Sequence, residues 1–431
     1  MRGGIVLSKV KSGGYTAEAE CGFDHRTAIE EAARCLLCHD APCSAGCPAG
    51  TDPGNFIRAI RFRNAKGAAE IIRENNVMGG CCARVCPYDR LCEEACSRTD
   101  LDRPIEIGKL QRYAIEQEKA FGMKILKAPR GAKKGKVACI GAGPASMACA
   151  AELAKAGCAV TIFEREAKAG GVLTYGITPA RLPQKVVDHD ISTVKGLGVK
   201  FELGKKVKAQ DLLCKEGFDA VFVGTGLWKS AGIGVAGEAH KNVLSAVSFL
   251  KKARTEGGFK AMKGKKVIII GGGDVAMDCA TTAKLSGAAD VHIWYRRTLA
   301  EAPASIEEVR YALSLGITMT ENFAPKAFHG IKKVEHVEFK GRDGKSEAKV
   351  HCDFVVLAIG QQAEDVAAFV DGIATANKGC IAVKKGGKTN LAGIFAAGDI
   401  ANGGKTVVEA VKEGKESADA ILAYLVRKGV K

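Results

Sequence analysis

Two features of the sequence predict its fold class, an α-helical domain followed by a pair of α/β domains. Nine of the seventeen cysteines fall between Cys35 and Cys96, and Cys21 just precedes them. Beyond this block the chain repeats itself. KGKVACIGAGPASMACAAELAKAG, from Lys134, is matched by KGKKVIIIGGGDVAMDCATTAKLSG, from Lys263, each reading as a short apolar strand, a glycine turn and an Ala-rich helix. AVTIFER and DVHIWYRR then supply a second strand to each copy, completing a βαβ unit of the Rossmann-like kind.

At 431 residues, with 47% hydrophobic and 26% charged side chains, the chain is ordinary for packed globular domains and long enough for two or three of them. Its one apolar run near the start, GIVL, is far shorter than a signal-peptide core, and no run approaches the ~18 residues of a membrane helix. A cytoplasmic location with no membrane partner is therefore expected. In that compartment clustered thiols point to metal or redox chemistry, because disulfides there are kept reduced. The net charge of +16 comes from lysines spread along the chain, without a basic patch interleaved with aromatics. This argues against nucleic-acid binding and leaves a solvated basic surface or the steering of anionic cofactors.

Taken in order, TDPGNFIRAIRF reads as a helix, with Asp52 as its cap, Pro53 at the first helical position, and Phe56, Ile57 and Ile60 on one face. AAEIIRENN and KLQRYAIEQEKAF continue in helical style, and APRGAKKGK reads as a linker near residues 128–136. After the two βαβ copies the chain returns to strand-like DFVVLAIG and then to GIFAAGDIANGGKTVVEAVKEGKESADAI, a strand, a glycine turn and a long helix. The expected domains are residues 1–130 (helical), 131–228 (first part of a flavin domain), 229–352 (nicotinamide domain, inserted) and 353–431 (second part of the flavin domain).

The first glycine turn places Gly141 and Gly143, with Pro144 and Ala145, where backbone approaches a pyrophosphate at a helix N-terminus. Ser146 takes the third position. Glu164 ends the next strand, twenty-three residues after Gly141, where a carboxylate can accept ribose hydroxyls, and Arg165 follows it. The second turn uses Gly271, Gly273, Asp274 and Ala276, but its second strand ends in Arg296 and Arg297. Guanidinium groups there suit a 2′-phosphate and favour NADPH over NADH; the bland alternative is an exposed pair that meets only solvent. FAD in the first copy and the nicotinamide in the second is the simplest division.

The cysteine spacing C-x2-C-x4-C-x3-CP, at Cys35, Cys38, Cys43 and Cys47, is followed by C-x5-C-x3-C at Cys86, Cys92 and Cys96. Structural zinc usually pairs two CxxC knuckles, whereas cuboidal iron–sulfur clusters use closely spaced thiolates of this kind. Iron–sulfur is favoured, with zinc as the rival. A dithiol reductase needs a CxxC beside the flavin, but the nicotinamide domain offers only Cys279. Cys139, Cys149, Cys158, Cys214, Cys352 and Cys380 read as small buried apolar residues.

CLLCHDAPCSAGCP, IRENNVMGGCCARVCPYDRLCEEAC, PIEIGKLQ and GGGDVAMDCATTA together resemble the N-terminal half of dihydropyrimidine dehydrogenase over essentially the whole chain, and most closely its separate bacterial flavin/iron–sulfur subunit. That resemblance implies an α-helical iron–sulfur domain followed by an α/β two-dinucleotide-binding-domain (Rossmann-like) flavoprotein. It further implies FAD, two [4Fe-4S] clusters, and NADPH or NADH. One cluster would be held by Cys35, Cys38, Cys43 and Cys96. The other would use Cys47, Cys86, Cys92 and Gln111, leaving Cys81 and Cys82 as non-ligands. AAGDIANGG resembles the family's second flavin motif, with Gly398 and Asp399 at the ribityl chain and Thr406 after it. Gly224, Thr225 and Gly226 resemble the strand-end crossing between flavin and nicotinamide domains. GGVLTYGITPARLP resembles its GG…GIPxxRLP stretch, with Gly171 and Arg181 near the flavin, although Thr178 and Pro179 exchange the expected order.

The resemblance implies an electron-input subunit that takes hydride from NAD(P)H and passes single electrons to an FMN- and iron–sulfur-containing catalytic partner in a hetero-oligomer, acting on uracil or thymine. No single catalytic side chain stands out. The alternative is an NAD(P)H:acceptor subunit of glutamate synthase or ferredoxin-NADP transhydrogenase type. Glutamate synthase chains resemble C-x3-C-x3-C in the second cysteine group, and transhydrogenase chains tend to carry Glu at the place of Gln111. A non-catalytic redox sensor would leave two dinucleotide units unexplained.

Overall fold

Two parallel five-stranded sheets organise the computed structural model, which describes residues 14–131 and 134–430. The opening GIVL run lies outside the described residues, as does part of the expected linker. Continuous burial in KVACI and KVIII, each with one exposed lysine leading four buried residues, explains why both repeats enter the centre of a sheet.

The first sheet runs in the order Ile394–Ala396, Ala220–Val223, Lys136–Ile140, Ala159–Glu164, Lys200–Leu203, every pairing parallel. Helix Pro144–Lys155 covers it together with the 21-residue helix Val407–Arg427. The contact is close because Gly414 faces the carbonyl of Ala145, and a Cβ there would stand 2.3 Å from that oxygen. The same compact unit holds the cysteine-rich helices, comprising residues 22–174, 184–227 and 363–431.

Among those helices, Pro53–Arg61 starts as expected, with Asp52 accepting from the Asn55 amide and Pro53 in the first turn. Phe56, Ile57 and Ile60 are buried with Ile72, Leu110 and Tyr113, so helices Ala65–Asn75 and Ile107–Ala120 share one core. Arg73, fully buried, binds this group to helix Gln184–Gly196: Asp190 lies 2.8 Å away and Glu118 also 2.8 Å.

The second unit comprises residues up to Cys21, 175–183 and 228–362. Its sheet order is Val243–Ser245, Phe354–Leu357, Lys266–Ile270, Asp290–Trp294, Thr318–Thr320, again all parallel. Beside it a three-stranded antiparallel sheet joins Phe323–His329, His336–Gly341 and Glu347–His351.

One expected boundary requires correction. The strand in DFVVLAIG, expected to open the second flavin part at 353, pairs with Lys266–Ile270 and Val243–Ser245 in the second sheet. Its Val355, Val356 and Leu357 are buried there, so the change of unit falls after Gln362. Within the expected helical segment, residues 22–130 cluster with the first sheet. Tyr15 is buried in the core of the second unit, with Phe249, Phe259 and Met277, while everything from Gly22 packs with the first sheet.

Candidate functional site

Both glycine turns form the tight cradle that a pyrophosphate requires. Gly141 has φ +91°, and a Cβ on it would lie 2.7 Å from the carbonyl oxygen of Gly224. Gly143 then caps helix Pro144–Lys155, with its φ extended and Pro144 in the first turn, so free amides face outward from the helix start. Gly171 closes on the same spot, since a Cβ there would stand 3.0 Å from the Cα of Gly143. Ala145, buried, packs beneath Gly398. In the second unit Gly271, at φ +147°, lies against the Ala358 carbonyl, and Gly273 caps helix Asp274–Leu285. Ala276 is fully buried behind it.

The carboxylate expected at the ribose ends its strand as read from sequence. Glu164 is buried, its Oε2 accepting from the Ala142 amide at 2.8 Å and Oε1 from the Glu166 amide at 2.9 Å. Burial raises its pKa, against the pull of these two amides. Each oxygen keeps a lone pair for a hydroxyl donor. Arg165 beside it pairs with Glu364. Across the sheet, Gly398, at φ +74°, leads into Asp399, whose Oδ1 accepts from the Lys405 amide at 3.1 Å and whose pKa burial raises. Thr406 caps helix Val407–Arg427 in a capping box with Glu409. Gly224, Thr225 and Gly226 follow strand Ala220–Val223, and a Cβ at Gly224 would meet Ser146 Oγ at 2.3 Å. All of these lie in the first unit.

Arg296 and Arg297 follow strand Asp290–Trp294, both exposed and free of ion pairs among the described residues. Arg181, expected near the flavin, is engaged by side chains of the nicotinamide helices. It belongs to the second unit, where its Nη1 donates to Asp278 Oδ2 at 2.8 Å and its Nε pairs with Glu308. Burial raises the pKa of Glu308 to about 8, with Arg181 opposing it.

Cys35, Cys38, Cys43 and Cys96, the set implied for one cluster, wall a single pocket lined also by Ile57, Ile105 and Ile107. Burial pushes the Cys43 thiol up to about 11, and Cys96 and Cys35 add to it. Crowded thiolates of this kind are stable only around a cation, so the donor set fits an iron–sulfur cluster. Cys47, Cys86 and Cys92 form a second group: Cys86 is raised by a hydrogen bond with Cys82, by burial, and by Cys82, Cys92 and Cys47. Gln111 is buried, its Nε2 donating to the Gly79 carbonyl at 2.8 Å. Cys81 is held elsewhere, its amide donating to Asp190. Cys214, read as buried, is exposed, whereas Cys139, Cys149, Cys158, Cys352 and Cys380 are buried as expected.

Several supporting residues carried no sequence signal. Glu413 accepts from the Gly398 amide at 2.8 Å and from Asn402 at 3.0 Å, bracing the turn before Asp399. Lys415 donates to the carbonyls of Ala49 and Asn75 at 2.7 and 2.8 Å, beside the Cys47 loop.

Residues 135–414 match the pyridine nucleotide-disulphide oxidoreductase family, and residues 13–123 match the family described as dihydropyrimidine dehydrogenase domain II, 4Fe-4S cluster. Over 95% of the chain it is 44% identical to the NAD-dependent dihydropyrimidine dehydrogenase subunit PreT of Escherichia coli K12, covering 97% of that protein. The chain belongs to the PreT-type family of flavin oxidoreductase subunits. The glutamate synthase [NADPH] small chain of Escherichia coli K12 is 33% identical over 94% of this chain and 92% of its own length. In fold alone, the chain resembles T. acidophilum thioredoxin reductase (TM-score 0.53, 24% identity, 67% of this chain, 97% of that one). It also resembles FprA of Mycobacterium tuberculosis in complex with NADPH (TM-score 0.59, 17% identity, 69% and 86%). This PreT-family chain is thus an oxidoreductase with a 4Fe-4S domain ahead of FAD/NAD(P)-binding domains. Among the described residues no helix is long and apolar enough to cross a membrane.

Proposed function

We propose that this chain is the electron-input subunit of a dihydropyrimidine dehydrogenase, serving an FMN- and iron–sulfur-containing partner that interconverts uracil or thymine and the 5,6-dihydropyrimidine. The observation that carries this reading is the combination, in one chain, of two glycine-cradled helix starts and a pocket walled by four thiols. The relatives named for dihydropyrimidine dehydrogenase, at 44% identity, support it over those named for glutamate synthase, at 33%.

When bound, the nicotinamide supplies a hydride, the flavin converts an electron pair to single electrons, and the clusters conduct them. The chain's own residues bind and orient. The amides after Gly141 and Gly143 would face the FAD pyrophosphate, Glu164 the ribose and Asp399 the ribityl chain. Gly271, Gly273 and Asp274 would seat NAD(P)H, with Arg296 and Arg297 at a 2′-phosphate. Cys35, Cys38, Cys43 and Cys96 would hold one [4Fe-4S] cluster, and Cys47, Cys86, Cys92 and Gln111 the second. With Gln111 Nε2 engaged by Gly79, its Oε1 is the atom left to ligate. No general acid is assigned, because hydride transfer depends chiefly on positioning.

The test is anaerobic NAD(P)H consumption. The purified chain should reduce artificial dyes and leave uracil unreduced. Addition of the FMN-containing partner should bring uracil turnover, and Cys35→Ala should abolish that turnover while sparing much of the dye reaction. Uracil-dependent turnover by the chain alone would overturn the subunit reading.

A further inference from the structure

We propose that the solvent face of the three-stranded antiparallel sheet carries a divalent transition-metal site, formed by His329, His336 and Glu338 with His351 beside them, for a cation of the zinc class. The register builds it. His336 lies directly opposite His329 on one neighbouring strand and opposite His351 on the other, so one imidazole from each strand falls in a row. Glu338 is two residues beyond His336 and therefore on the same face. The other face is core: Phe328, Val337 and Phe339 are buried with Trp294.

The side chains converge as the backbone directs. The His329 and His336 rings stack at 4.7 Å and 8°, and the His336 and His351 rings lie 5.6 Å apart at 54°. Ligating atoms of His329, His336 and Glu338 all fall within 4.8 Å of one another. His329 Nε2 stands 3.3 Å from Glu338 Oε2, and tetrahedral ligands at the usual zinc distances stand about 3.3–3.4 Å apart. That nitrogen is sealed from solvent and makes no hydrogen bond, the Glu338 carboxylate being its ion-pair contact, so both groups face one spot that a cation could share. His329 and Glu338 side chains remain 40% and 36% exposed, leaving room for small rotations and for a water ligand.

Donor chemistry narrows the cation. Imidazole with one carboxylate suits Zn²⁺, Ni²⁺ or Cu²⁺, whereas Mg²⁺ and Ca²⁺ prefer all-oxygen sets. Lys349, opposite Glu338 in the register, and Lys326, whose ammonium also feels that carboxylate, are competing positive charges. None of the residues assigned to flavin, nicotinamide or clusters takes part, so the site is separable from the redox groups. Its effect would be to clamp three strands of the second unit together.

The experiment uses the holoprotein with its iron–sulfur content intact, dialysed against zinc chloride, with metal analysis and zinc K-edge absorption. One zinc per chain with nitrogen and oxygen scatterers is expected. Because loss of a supporting partner alone weakens metal sites 10–100-fold, loss of a ligand in His336→Ala should weaken zinc binding by roughly 100-fold. Glu338→Gln, which keeps the side-chain shape, should also weaken it. Zinc should raise the melting temperature of the wild type and not of His336→Ala. A sulfur-dominated spectrum, or equal zinc affinity in wild type, His336→Ala and Glu338→Gln, would overturn the proposal.

Discussion

Replacing Asp190 with Ala should loosen the helix that leads into Cys86. Asp190 is fully buried and holds three groups: Arg73 Nη1 at 2.8 Å, the Cys81 amide at 2.8 Å and the Gly80 amide at 3.3 Å. Burial alone would lower the pKa of Arg73, but Asp190 and Glu118 outweigh it and hold the guanidinium charged. Removing Asp190 therefore leaves a fully buried cation with Glu118 as its remaining carboxylate partner and orphans two amides of helix Gly79–Val85. Breaking a buried ion pair from one side costs about 3–5 kcal/mol. At about 1.4 kcal/mol per factor of ten, amide exchange across residues 79–86 should accelerate by two to three and a half powers of ten. Peptide-resolved hydrogen exchange on the holoprotein measures this directly. Asp190→Asn, which retains an acceptor, should fall between the two. A triple variant, Arg73→Met with Glu118→Gln and Asp190→Ala, should recover part of the loss, because neither the guanidinium nor either of its carboxylates is left buried without its counter-charge. Exchange in Asp190→Ala within about twofold of wild type would refute the argument that this carboxylate holds the helix.

Other expectations follow from the same geometry. Gly141→Ala should deprive the purified protein of FAD, since its Cβ would lie 2.7 Å from a backbone carbonyl at a φ of +91°; flavin absorbance per chain measures the outcome, and full flavin content would contradict the cradle. Arg296→Ala should lower kcat/KM for NADPH while leaving that for NADH nearly unchanged, and a wild-type preference for NADH that the substitution leaves intact would remove the arginines from the site. Burial raises Glu308 from 4.5 to about 8, so the proton it retains favours the folded state: its contribution is fully present below pH 4.5 and is lost as pH rises through about 8. Glu308→Gln should accordingly flatten the decline in melting temperature between pH 5 and 8, and an unchanged slope would show that Glu308 does not titrate there.

What was legible in the sequence was local. A turn of Gly141 and Gly143 between an apolar strand and an Ala-rich helix carries its own conformational reason, because only glycine tolerates the backbone angle and the approach of Gly224. Asp52 and Pro53 announced a helix start in the same way, and Glu164 and Arg296 could be placed by counting along a strand. Close cysteine spacing showed that soft ligands were gathered, and the family resemblance divided Cys35, Cys38 and Cys43 from Cys47, a division that spacing alone does not make. Only the tertiary structure decided what meets across long separations. Phe354–Leu357 reads as a strand and was expected in the flavin part, and its pairing with Lys266–Ile270 and Val243–Ser245 places it in the other sheet. Arg181 looks free in RLP until Asp278 and Glu308 arrive from 97 and 127 positions away, and Tyr15 draws the N-terminal segment into the second unit's core. The histidine row at 329, 336 and 351 is likewise invisible along the chain, because strand register, not sequence spacing, places the three rings side by side. Backbone angles and caps are paid within a few residues, whereas burial of charge and pairing of strands depend on partners that only the folded chain supplies.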